Sequence, residues 1–367
     1  MVLVMNVECC RKQPVSFNGE DKMKSGTEKS RSLSLDCTRI IAVLAVIMIH
    51  TVMGFVNFDI SSLSYIWGNI FDSLSRVGVP LFIMVSGALM LDEKKKISVE
   101  KVFSKYILNI AFLFVLWSFI YMIPKMAKAI IEDKPITFNY IIKHLVSGGF
   151  HMWYLIMIIG LYLIIPVLKL FVKKENSDNI AYIILVSVIF MFFPILLTCL
   201  SDLDSLFDVL CEQLARLEYG FIGVFPTYFI TGWYVKHVGV KHKNTIYLSA
   251  LISVFIITML VQITGNYSDA YSYSNILVYL YSLGVFTFIN EICGNKVSSK
   301  IVEKLSNLTF GVYIVHIIVL EIVNMFFYNA HITPFTIMIR FSLVTAISFI
   351  GSYIMSKIPG LRKLVRF

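Results

Sequence analysis

The chain has 367 residues, of which 57% are hydrophobic and only 15% charged, with a mean hydropathy of +0.78. A soluble domain of that size carries about a quarter charged residues, so in water this chain would expose apolar surface that nothing could cover; a folded soluble protein is excluded and lipid is its solvent. The net charge of +9 is not a nucleic-acid footprint, because the Lys and Arg residues sit in short segments between apolar runs, as the positive-inside rule distributes them.

The stretch up to Arg31 is polar and rich in Lys and Ser, which predicts a disordered tail. The first apolar run begins at Leu33 and is long enough to remain as an anchor, so no cleavable signal is read there. Crossing the hydrocarbon core takes about 20 apolar residues in a helix. That ruler predicts an all-α membrane bundle of about ten spans: Leu33–Phe55, Asp72–Leu91, Tyr106–Pro124, Met152–Phe171 and Ile180–Leu200, then Tyr219–Val235, Thr245–Thr264, Asn275–Cys293, Leu308–Tyr328 and Thr333–Met355. The organisation expected is a tail over residues 1–31, a transmembrane domain over 32–357 and a short basic tail over 358–367.

Charge sets the orientation. With the amino terminus in the cytoplasm, the inner segments hold 24 of the 32 basic residues, and both termini are cytoplasmic. Two outer connections, Lys125–His151 and the acidic Ser201–Glu218, are too long for turns and are expected to serve or cover a site. Cys199 and Cys211 flank the acidic segment, where a disulfide is possible if it is extracytoplasmic; free thiols are the simpler reading, and no cysteine spacing points to a metal.

Ionisable groups inside spans are costly and face protein or water. The first span offers Asp36, Arg39 and His50. His50 lies eleven positions after Arg39, which returns it to within about 20° of alignment and about 16 Å further along the axis, so the two share a face. Arg39 can alternatively reach the inner headgroups, and His50 can be a satisfied core histidine. Arg76 precedes Val77-Gly78-Val79-Pro80; Pro80 cannot donate to the Arg76 carbonyl, so the turn there is open, while an Arg76–Asp72 pair at i,i+4 is the plainer reading. His151-Met152-Trp153-Tyr154 opens the fourth span, where Trp153 and Tyr154 also suit an interfacial belt. Arg216 and Glu218 open the sixth. Tyr313 and His316 share a face of the ninth, His316 near mid-membrane, where a hydrogen bond to a neighbouring helix would also account for it. Histidine beside a hydroxyl can act as a general base, and arginine can hold phosphate oxygens or charge developing on a thioester oxygen. The set fits acyl transfer to a hydroxyl, and equally proton-coupled transport.

Leu35-Asp36-Cys37-Thr38-Arg39 continuing to His50 resembles the opening of the acyltransferase 3 family of bacterial integral-membrane acyltransferases, in which ten residues separate an Arg from a His. Arg76–Gly87 resembles its Arg, Gly-x-Pro and Ser-Gly segment, and His151–Leu155 its His-x-Trp-Tyr-Leu segment. Tyr228–Tyr234 is similar to its Tyr-Phe-x-x-Gly-Tyr-Tyr segment, and Ser306–His316 to its last motif. The five fall in order across most of the chain. The length, without an appended soluble domain, looks like the branch of enterobacterial common antigen O-acetyltransferase and exopolysaccharide acyltransferases.

The resemblance implies acyl-CoA, acetyl-CoA by default, as a donor from the cytoplasm, and a glycan or lipid-linked saccharide acceptor at a bacterial plasma membrane. It makes His50 the catalytic base with Arg39 as its partner in acyl-donor handling or site organisation. It gives Arg76, His151, Tyr313 and His316 substrate-binding roles, to which Glu218 is added by its depth near the outer face. No metal is expected. A transporter or flippase for lipid-linked saccharides is the alternative, although the first span has neither Gly nor Pro between Leu33 and Met53, as the broken helices of an inverted repeat would require. A sensor or assembly factor would leave His50, Arg76 and His151 without a shared purpose.

Overall fold

The computed structural model describes residues 31–201, 223–294, 296–327 and 333–365, the side chains of 192–201 excepted. Among these the elements are helices: α1 (Leu33–Val52), α2 (Leu63–Ser75), α3 (Gly78–Met90), α4 (Val99–Ile131), α5 (Phe138–Ser147), α6 (Trp153–Leu163), α7 (Ile165–Phe171), α8 (Ser177–Ser201), α9 (Val224–His237), α10 (Lys243–Thr264), α11 (Ile276–Cys293), α12 (Lys300–Phe326) and α13 (Pro334–Lys357). Helix starts carry oxygen caps: Ser62, Thr137, Ser299 and Thr333 each accept from a backbone N–H three residues on. Several hydroxyls of the apolar helices turn back on their own helix, as Thr51 does to the Ile47 carbonyl and Ser282 to that of Val278. Among the described residues seven helices are long and apolar enough to cross a membrane, or eight if the bent pair α5–α6 counts as one span. The fifth predicted run lies in α8, and the sixth begins outside the described residues.

Three elements differ from the apolar ruler. The second span runs from Leu63 through Met90 and is broken at Arg76–Val77, rather than starting at Asp72. Its first half is polar because that face packs on protein: Asn69 donates to the Thr258 carbonyl of α10, and Tyr271 donates to the Asn69 side chain. The third helix does not stop at Pro124 but continues to Ile131, since an internal proline removes one bond and bends a helix without necessarily ending it. The expected outer connection is largely the amphipathic α5, bent by 53° from the helix that follows.

Contacts collect the basic segments at one end of the bundle. Lys169 donates to the Asp92 carbonyl, Lys236 to Ser34, and Arg31 to Asn307. At the opposite end Gln262 reaches the Ile60 carbonyl, Tyr281 that of Leu74, and Arg340 the Asn324 side chain. The chain after α13 does not hang free. Leu361–Leu364 forms a helical turn, the Trp117 indole of α4 donates to the Leu364 carbonyl at 3.1 Å, and Val365 is fully buried.

Candidate active site

The sequence segments singled out above meet one another in space. The glycines Gly87 of α3 and Gly232 of α9 form one backbone crossing: a Cβ added at Gly87 would stand 1.8 Å from the Phe229 carbonyl oxygen, and one at Gly232 would stand 2.0 Å from that of Met84. Only hydrogen fits at either position, which is how small residues let membrane helices approach. Asp36 of α1 accepts from Ser306 of α12 at 2.7 Å and from Arg31 at 2.6 Å, with Arg39 at 3.4 Å. The Tyr313 hydroxyl of α12 donates to the backbone carbonyl of His151 at 2.7 Å.

These ties assemble a histidine cluster. His50 of α1, His151 of the turn before α6 and His316 of α12 stand ring to ring: the His316 centroid is 5.3 Å from both of the others. Phe150, Tyr121 and Tyr313 pack edge-on around them, with Phe150 5.1 Å from His50, and Tyr121 and Tyr313 5.1 and 5.4 Å from His151. His316 Nδ1 lies 2.6 Å from the Tyr313 carbonyl. A carbonyl can only accept, so Nδ1 carries the proton and Nε2 keeps its lone pair. That Nε2, Nδ1 of His50 and both nitrogens of His151 are buried without hydrogen-bond partners. By helix rise, His50 and His316 are both about 25 Å from the starts of their helices at the lysine-rich end.

A cavity of about 1040 Å³ extends inward from that end. Its lining includes Lys95, Lys105 and Asn307 together with Arg39, Ser86, Tyr154 and Tyr162. Tyr313 lines it too, and the same ring lies 5.4 Å from His151 and 6.1 Å from His316. One aromatic side chain thus touches both the cavity and the cluster. Among the described residues no set of three His, Cys, Asp or Glu side chains is placed to hold a metal ion.

A family model described as an acyltransferase domain, that of the acyltransferase 3 family, matches residues 32–357. The chain belongs to the acyltransferase 3 family. No curated protein and no solved structure matches it. The domain match and the apolar helices make it a multi-pass membrane acyltransferase, and the matched region contains every residue of the histidine cluster and of the cavity.

Within this acyltransferase the expected site residues fall into three groups. His50, His151, Tyr313 and His316 come together. Arg39 stands apart from them on the cavity wall, held on one side by Asp36. Arg76 is tied down: its Nη2 donates to the Asp72 carboxylate, and its guanidinium lies 4.0 Å over the Tyr271 ring. That geometry is the i,i+4 pair the sequence allowed. Glu218, Arg216 and the Cys199–Cys211 pairing lie outside the described residues or side chains, whereas Cys37 and Cys293 are free thiols. Sequence reasoning missed Ser86, Tyr154 and Tyr162 as neighbours of Arg39, although Ser86 and Tyr154 lie inside quoted segments.

Proposed function

We propose that this acyltransferase moves an acyl group, acetyl by preference, from acyl-CoA to a hydroxyl of a cell-surface or lipid-linked glycan in the plasma membrane, as the O-acetyltransferase branch implies. The observation that carries this reading is the cavity that joins the lysine-rich end to Tyr313 beside the three histidines. With that end in the cytoplasm, the CoA phosphates meet Lys95 and Lys105 at the mouth. The narrow pantetheine arm runs past Arg39, and the thioester is presented toward the cluster. Donor and acceptor then enter from opposite ends of the bundle and meet at His50, which reconciles a cytoplasmic donor with a histidine set deep in the membrane.

The acceptor hydroxyl gives its proton to His50 as its oxygen bonds to the thioester carbonyl carbon. The C–S bond breaks as the tetrahedral intermediate collapses, and the proton passes from the imidazolium to the departing thiolate. His151 and His316, with open lone pairs, hold the acceptor's hydroxyls and take the hydrogen bonds their buried nitrogens lack.

The test is transfer of label from radioactive acetyl-CoA to membrane glycolipids by the purified protein in nanodiscs. An alkali-labile glycan ester is expected with the native chain. His50→Ala should lower its rate by about 10²-fold or more while leaving membrane insertion intact. Full activity in that variant rejects His50 as base. Absence of transfer from several acyl-CoAs, together with movement of glycolipid across the bilayer, favours the transporter reading instead.

A further inference from the structure

A second pocket, of about 690 Å³, lies where the carboxy-terminal segment passes between α4 and α13, and it has no part in the chemistry above. Its walls carry Lys357, Arg362 and Lys363 together with Ser356 and Asn109. The three cations are exposed, and among the described residues none is paired with a carboxylate; Lys357 lies 5.2 Å over the Tyr353 ring. The Ser356 hydroxyl already donates to the Tyr353 carbonyl, which leaves three positive groups and the Asn109 amide around one hollow, a set that suits a phosphate.

The surroundings say which phosphate. From the pocket, α4 carries Phe112, Val115 and Phe119 outward at 58, 45 and 45% exposure, and α13 carries Ile354, Ile350 and Ile347 at 53, 58 and 45%. Both sets follow helical spacing, so each forms one apolar stripe leading away from the lysine-rich end. In a membrane such stripes face acyl chains. Basic pockets between helices at this level are where anionic headgroups bind.

We propose that this pocket holds the phosphate headgroup of an anionic phospholipid, its acyl chains lying along the stripes of α4 and α13. The phosphate relieves the repulsion among three like charges and fastens the carboxy-terminal segment across the gap between these helices. The segment is already joined to α4 by the Trp117–Leu364 bond, and Val365 packs on Gly311, where an added Cβ would stand 2.8 Å from it. Gly311 lies two residues, about 200° of helical turn, from Tyr313, so the lipid braces α12 from the face turned away from the cavity. The binding does not depend on acyl transfer.

The test is the thermal unfolding midpoint of the purified full chain in neutral detergent, with phosphatidylglycerol, phosphatidylcholine, CoA or inorganic phosphate added. Phosphatidylglycerol alone is expected to raise the midpoint, by about 2–4 °C. The rise should vanish in the K357Q/R362Q/K363Q variant and persist in Arg362→Lys. An equal rise with phosphatidylcholine, or a phosphatidylglycerol rise retained in the triple variant, overturns the proposal. A rise with inorganic phosphate that matches phosphatidylglycerol and is lost in the triple variant reassigns the pocket to free phosphate. A rise with CoA that is lost in that variant, with no lipid-specific shift, reassigns it to the CoA nucleotide, whose cavity shares Asn109 and Phe112 with this pocket.

Discussion

A buried polar atom without a partner costs about 1–3 kcal/mol, and the rings of His50, His151 and His316 hold four such nitrogens. Native structures leave few atoms in that condition, and those they leave ask for a reason; the proposed acceptor, rich in hydroxyls, would supply one. Arg39 makes the complementary case. Its Nη1 reaches Asp36 at 3.4 Å, a loose contact that leaves most of the guanidinium facing the cavity. Lysine can replace the charge but not the planar fork. Arg39→Lys should therefore raise the apparent KM for acyl-CoA about tenfold with the fold unchanged, measured by transfer rate against donor concentration; unaltered donor kinetics would remove Arg39 from this role. Arg39 and His50 were legible because they share a helix, where spacing fixes direction. The partnership of His151 and His316 with His50 was not, because the three lie on separate elements and no local period relates them.

At the scale of elements, the quoted segments prove to be contact pairs as much as chemical ones. The Ser-Gly of α3 and the Gly of α9 are two sides of one crossing, and Asp36 and Ser306 tie α1 to α12. A methyl group at 1.8 Å from a carbonyl oxygen cannot be absorbed by turning a side chain, since both neighbours are backbone. Gly87→Ala and Gly232→Ala are each predicted to separate α3 from α9, lowering the folded yield several-fold by fluorescence-detected size exclusion. Gly160 and Gly351, with open space around their Cβ positions, serve as controls and should tolerate Ala. Apolar runs marked the positions of most helices, yet the start of α2 was missed because its polar residues are buried on protein: Asn69 bonds to α10, Ser73 meets Asn69 and Tyr271, and Asp72 pairs with Arg76. The amphipathic α5 was read as a loop for a related reason: ten residues cannot span a bilayer, so a ruler tuned to spanning length passes over them.

For the whole molecule, charge asymmetry is the only guide to orientation, and the fold makes it testable. The segments around Lys94, Lys174, Lys241 and Lys296 gather at one end, whereas Asp133, between α4 and α5, lies beyond the opposite end of α4 from Lys101. An epitope inserted after Asp133 should be reached by antibody in intact spheroplasts, and one after Lys174 only once the membrane is permeabilised. The reverse pattern would invert the topology and the donor route with it.

The bond between Asp36 and Ser306 joins residues 270 positions apart. A ribosome that has delivered α1 to the bilayer must therefore synthesise most of the remaining chain before α12 arrives. In the interval Asp36 would sit near the membrane edge, partly withdrawn from water, with its long-range donor still unmade. Arg31 and Arg39, five residues before it and three after, are present from the outset and provide the countercharge locally. The first helix thus carries its own temporary neutralisation, and Ser306 completes a clasp that the neighbouring arginines have kept open for it.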